Sequence, residues 1–146
     1  MDPEEFRTLV EERHAATAMG ALGIQVDSYD PDRFQCSLRI DNRHRQHLGF
    51  LHGGVSALLA ESAASMAAAM SVDLGTHTVA GVDLNATHVR PMEHGLLVAT
   101  ARPLYRGRTT HVYEVTLTAE NADLICAARC TIAIRPRRDR RSAATR

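Results

Sequence analysis

Between Gly53 and Val72 the chain carries a single charged residue, Glu61, in a run of alanine, serine, leucine and methionine. Two glycines, Gly53 and Gly54, open the run directly after His52. A carboxylate among apolar side chains is costly unless it is hydrogen-bonded or paired. Ser65, one turn further along, or a backbone amide could hold the acid as a structural group. The other use is chemical: the carboxylate acts as a general base or as a nucleophile toward an electrophilic carbon. A helix that starts at Gly53 supplies what such a reaction also needs. Its first N–H groups have no intrahelical partner and lie at the positive end of the dipole. Glycine lets a substrate approach that backbone closely.

Other chemistry-bearing residues cluster before the run, in DNRHRQHLGFLHGG, a polar, histidine- and glycine-rich loop. The spacing of His44, His47 and His52 fits no helical metal-binding pair, and no cysteine or acid completes a ligand set with them, so no metal site is expected. Further on, Arg90, Arg106 and Arg108 with Thr109 are either exposed strand edges or anion-holding groups, since the guanidinium fork suits phosphate.

The elements that must position these residues follow from periodicity. Residues 3 to about 19 predict a helix with Phe6, Leu9 and Val10 on one face, ended by Gly20 and Gly23. RFQCSLRI alternates as a half-buried strand, with Phe34, Cys36, Leu38 and Ile40 on one side. The run from Gly53 to Val72 is too long for a strand and rich in helix formers. It is also apolar nearly all round, so it should be wrapped by protein on most sides. HTVAGVDLNATHVR, LLVATARPLYRG, RTTHVYEVTLTAE and LICAARCTIAIR all have strand character. PMEHG and ENAD read as turns between them, which favours an antiparallel meander. The expected class is α+β, an antiparallel sheet around one long central helix, in a single domain over residues 1–136.

Composition sets outer limits. With 146 residues, 45% of them hydrophobic and 23% charged, the chain can bury a core. Acids and bases balance at 17 each, which gives no support for nucleic acid as a partner. Residues 137–146 are basic and read as a disordered tail. The acidic start lacks a signal core, and alanine, serine and Glu61 in the long run argue against membrane insertion. Cys36, Cys126 and Cys130 fall in strand patterns without metal-ligand pairing, as small buried residues in a reducing cytoplasm would.

Gln46, the segment Gly49-Phe50-Leu51-His52-Gly53-Gly54, Glu61 and Ser65 together resemble the hotdog-fold acyl-CoA thioesterases. The nearest branch contains the phenylacetate-pathway and 4-hydroxybenzoyl-CoA thioesterases. VDLNATHVRPMEHG and YRGRTT resemble that branch's second half, so the similarity spans about residues 20 to 135. The resemblance implies hydrolysis of an acyl- or aryl-CoA thioester to free acid and coenzyme A. Glu61 would be base or nucleophile and the Gly53 N–H the donor to the thioester oxygen. Gln46 and His52 would orient or polarise, and Ser65 would bond the acid or the attacking water. It further implies that Gly54, His88, Arg90, Arg106, Arg108 and Thr109 hold the substrate and its coenzyme A portion. No cofactor beyond that portion is implied.

Gly53 and Glu61 lie eight residues apart, on the order of 12 Å along one helix. That is too far for both to reach one carbonyl, so a homodimer with shared sites is expected. The resemblance adds stacking of dimers into homotetramers. Two other readings stay open: a non-catalytic acyl-CoA-binding hotdog protein, and an enoyl-CoA hydratase using Asp41 with a nearby loop histidine.

Overall fold

The computed structural model describes residues 2–137, so the basic tail expected over 137–146 lies outside the described residues except for Arg137. The chain begins with α1 (Pro3–Arg13), started by an Asp2–Glu5 capping box. The helix expected to run to Met19 stops earlier. A 3₁₀ turn (His14–Ala16) leads to a short α2 (Ala18–Ala21), whose N-cap Thr17 has an extended backbone and accepts from the Gly20 N–H. Gly20 therefore lies inside α2. Its missing side chain lets α2 close on the His14 carbonyl, which any Cβ would strike. The true terminator is Gly23, at φ +69°.

β1 (Gln25–Ser28) is too short to register in the sequence pattern; it pairs antiparallel with β2 (Phe34–Arg39). After a 3₁₀ turn at Asn42–His44 comes α3 (Gly53–Met70), then β3 (His77–His88), β4 (Leu96–Arg106), β5 (Thr110–Ala119) and β6 (Leu124–Pro136). All six strands form one antiparallel sheet in the order β1-β2-β4-β5-β6-β3. The sheet's apolar face covers α3, the expected hotdog arrangement, and Leu59, Ala60, Ala63, Ala64, Ala67 and Ala68 are fully enclosed against Phe34, Leu97, Tyr113, Val115 and Ile132.

The simple meander holds only for β4, β5 and β6. β3 sits at the far edge beside β6, so the segment from Val89 to Gly95 passes across the sheet end rather than turning back. Three strand spacings separate β3 from β4, on the order of 14 Å, within reach of seven extended residues. The crossing is tied to the loop before α3. Leu51 N–H donates to Met92 O (2.7 Å), Ile40 N–H to Gly95 O (3.0 Å) and Arg45 Nε to Glu93 O (2.9 Å). This brings the end of β3 against the start of α3.

The three cysteines are buried and unpaired. Burial pushes the thiols of Cys36 and Cys130 up to about 12, so both stay protonated at neutral pH. Among the described residues no helix is long and apolar enough to cross a membrane.

Candidate active site

His52 caps α3: its Nδ1 accepts from the Gly54 N–H at 2.8 Å, so the neutral ring carries its hydrogen on Nε2. The carbonyl of His52 accepts from Val55 and Ser56 N–H. These bonds leave Gly53 N–H without a hydrogen-bond partner among the described residues, at the positive end of an 18-residue helix. The His88 ring lies against Gly53, with Nε2 3.0 Å from where a Cβ would stand. A side chain at position 53 would push that ring aside by a few tenths of an ångström. Gln46 lies nearby in a tight loop closed by Gly49 at φ +92°, its Oε1 accepting from Leu48 N–H. Gln46, Gly53, His88 and Arg90 share a cleft of about 400 Å³ with Phe50, Leu51 and Met92.

Glu61 is elsewhere. The expected burial is not found in the single chain: Glu61 is exposed, at the margin of the stripe of α3 that the sheet leaves uncovered, beside the edge strand β3. It makes no ion pair or hydrogen bond among the described residues, although Ser65 shares its groove. The groove holds about 540 Å³ and is lined by the uncovered stripe of α3, namely Gly54, Ala57, Leu58, Glu61, Ser62 and Ser65, with Met66 and, from α2, Met19. A carboxylate oxygen of Glu61 presses against Gly81 of β3, where any Cβ would collide with it. Gly81 precedes a bulge that shifts the β3–β6 register before Asp83. It was missed in the sequence. An isolated glycine inside a strand pattern was the available signal, since it marks a bulge or a close approach.

The other candidates separate. Arg90 pairs with Asp123 at 2.9 Å and stays half exposed. Arg108 and Thr109 lie at the other end of the sheet, where Ile134 N–H donates to Thr109 O. Along β6 the residues that bond Arg90 and Thr109, Ile125 and Ile134, are nine apart (134 − 125), on the order of 30 Å, so one chain cannot bring Arg90 and Arg108 to one phosphate. Arg106 is committed inside the chain: its guanidinium binds Asp32 (2.6 Å), the Pro31 carbonyl and the Tyr113 hydroxyl (3.4 Å). It anchors the segment before β2.

His44 is fully buried and both ring nitrogens are used, Nδ1 by Asp41 N–H (2.8 Å) and Nε2 on Leu22 O (2.8 Å). Asp41 is held well below the usual carboxylate range, at about 2, by hydrogen bonds from Arg43. Both act as structural staples of the loop, which commits His44 to the fold. No group of three metal-ligating side chains converges among the described residues.

Relatives share this architecture. The 1,4-dihydroxy-2-naphthoyl-CoA hydrolase of Listeria monocytogenes is 38% identical over 80% of this chain and 94% of its own. A crystal structure of a Haemophilus influenzae thioesterase superposes with TM-score 0.85 at 32% identity, covering 92% of this chain and 93% of the other. Two structures of one Staphylococcus aureus protein, each 29% identical, superpose with TM-scores 0.81 and 0.79 over 83% and 81% of this chain and 100% and 98% of theirs. They carry alanine for a glutamate at that protein's position 47 and for a glutamine at its position 32. Residues 48–126, more than half the chain, match the thioesterase superfamily. By that match and these likenesses the chain belongs to the thioesterase superfamily and is a hotdog-fold thioester hydrolase.

Proposed function

We propose that the protein hydrolyses acyl-CoA or aryl-CoA thioesters at a site completed by two copies of the chain. The observation that carries this reading is the division of labour along α3. A free Gly53 N–H lies in one hollow and an unpaired Glu61 carboxylate in another, each lacking what the other supplies. Two copies related by a two-fold axis, helices antiparallel, set Gly53 of one beside Glu61 of the other. The long edge of β3, unpaired on its outer side, is a ready surface for such pairing. Antiparallel β3 edges also bring Arg90 of one copy to the same end as Arg108 and Thr109 of the partner subunit, a place for the coenzyme A phosphates.

In this arrangement the thioester oxygen accepts from Gly53 N–H, which stabilises the charge that develops there during attack. The side-chain amide of Gln46 and the ring of His88 border the same cleft and orient the carbonyl, while His52 fixes the helix start by accepting from Gly54 N–H. Glu61 either takes the proton of the attacking water or attacks the carbonyl carbon itself. Single turnover in ¹⁸O-water tests the second route: label entering Glu61 shows an anhydride opened at the Glu61 carbonyl, whereas water attack at the acyl carbon labels the product by either route. Removing one oxyanion donor costs about 2.7–4 kcal/mol of barrier in other enzymes, so loss of Gly53 N–H should be severe. The Staphylococcus glutamine and glutamate stand fifteen positions apart (47 − 32), the spacing of Gln46 and Glu61 (61 − 46), which supports both as site residues.

The naphthoyl-CoA named for the Listeria relative is the first aryl substrate to assay. Homotetramers built from such dimers and a cytoplasmic location complete the proposal. The test is release of free thiol from an acyl-CoA panel by wild type and Glu61→Gln. The variant should fold and lose at least about 10²-fold in turnover. Near-wild-type hydrolysis by folded Glu61→Gln refutes the role of Glu61. Tight acyl-CoA binding without any turnover by the wild type would favour a non-catalytic binding protein.

A further inference from the structure

We infer that Ser56 is a second donor to the thioester oxygen, its hydroxyl acting beside the Gly53 N–H; this rests on the thioesterase reading of Gly53 and Glu61. Ser56 is the one polar side chain among the buried residues of α3, the others being Leu59 and six alanines. It is 1% exposed, and its hydroxyl makes no hydrogen bond among the described residues.

The fold gives that hydroxyl no structural use. A serine inside a helix commonly returns its O–H to the carbonyl four residues back. Ser71 does so at the other end of α3, donating to Ala67 O at 2.7 Å. For Ser56 that carbonyl is His52 O, which already accepts from Val55 N–H (2.9 Å) and from the N–H of Ser56 itself (3.3 Å). A buried hydroxyl without a partner opposes folding, and alanine, which fills most of the neighbouring core positions, would not.

Its position supplies a chemical use. Ser56 lines the cleft that holds Gly53, Gln46 and His88, among apolar neighbours that include Met92 and Ile125. Helical side chains lean toward the N-terminus, and residues three apart stand about 5–6 Å from each other. An oxygen between two donors about 6 Å apart is within hydrogen-bond reach of both, so Ser56 and Gly53 can serve one carbonyl. The cleft shares no lining residue with the stripe from Gly54 to Ser65, and a second copy laid on that stripe leaves Ser56 open to substrate. As the carbonyl carbon is attacked, the C=O pair moves onto oxygen, where both donors meet the growing charge. Ser56 keeps its proton. The pair returns as the C–S bond breaks, and the electrons of that bond leave on coenzyme A as thiolate.

Ser56→Ala removes the hydroxyl and little else. Its kcat for acyl-CoA hydrolysis should fall about 10²-fold or more, the scale of a lost oxyanion donor, while the thermal midpoint holds or rises. Two unreactive ligands separate contact with the oxygen from shaping of the cleft. One is a ketone analogue of acyl-CoA with a methylene between carbonyl and sulfur; the other is an S-alkyl-CoA thioether, which lacks the oxygen. Ser56→Ala should bind the ketone about fivefold or more weakly than wild type does, and the thioether equally well. A folded Ser56→Ala enzyme with wild-type kcat overturns the inference alone, as does equal weakening of both ligands. A wild type that hydrolyses no acyl-CoA defeats the thioesterase reading itself, and this inference with it.

Discussion

Gly81→Ala tests the position of Glu61 without touching Glu61. The added Cβ would stand 3.0 Å from Glu61 Cδ and 3.4 Å from Cγ, and would overlap a carboxylate oxygen outright. Ordinary carbon contacts are about 3.5–4.0 Å, so the carboxylate must move by on the order of 1 Å. A misplacement of that size costs about 10²-fold in rate, or about 2.7 kcal/mol of barrier. The backbone tolerates the change, because Gly81 is not among the glycines at positive φ. Stability should therefore shift by less than about 1 kcal/mol. The assay is thiol release from an acyl-CoA at saturating substrate, with thermal midpoints measured in parallel. The expected pattern is a large fall in kcat with a nearly unchanged midpoint. A folded Gly81→Ala enzyme with wild-type kcat would refute the claim that β3 aims the carboxylate.

Two further outcomes follow. His111 is buried, 4% exposed, with Nδ1 lacking a hydrogen-bond partner; burial, and then the Arg106 charge, lower its pKa below the usual 6.5. The unfolded chain then binds the extra proton, so this contribution to stability is intact above pH 6.5 and is lost as pH falls from there through the folded value. Denaturant midpoints between pH 7.5 and 5 should decline, and His111→Phe should flatten that slope; an unchanged slope would discount His111. Replacing both Arg90 and Arg108 by alanine should raise KM for acyl-CoA with a smaller effect on acyl-pantetheine, and equal effects would move the nucleotide elsewhere.

Much of this architecture was legible in the sequence because it rests on local signals. The glycine pair after His52 marks the start of α3, and two-residue alternation in 110–119 and 124–134 separates core from surface on β5 and β6. What was hidden depends on distant geometry. PMEHG has turn composition, yet Met92 O and Glu93 O bond Leu51 and Arg45 as the segment crosses the sheet end. Arg90 and Arg108 look alike in sequence, and only the strand order puts them at opposite ends of one chain. Arg106 carries the same charge but spends it on Asp32 and the Pro31 carbonyl. Glu61 read as buried because α3 is apolar all round. The stripe from Gly54 to Ser65 has no cover in one chain, and an apolar stripe without cover is what a second copy would close.

Complementation between two inactive variants measures the shared site directly. Glu61→Ala removes the carboxylate, and Gly53→Pro removes the N–H. Proline suits the first position of a helix, and His52, at φ −70° and ψ 128°, already has the extended backbone a following proline requires. Each variant alone should be inactive. After mixing, partial dissociation and reassociation, heterodimers pair an intact Gly53 with an intact Glu61 in one of their two sites. Acyl-CoA hydrolysis should return to about a quarter of the wild-type level, since half the dimers are mixed and each has one working site. Mixtures that stay inactive despite demonstrated subunit exchange, or a wild-type monomer that hydrolyses acyl-CoA, would contradict a site built from two chains.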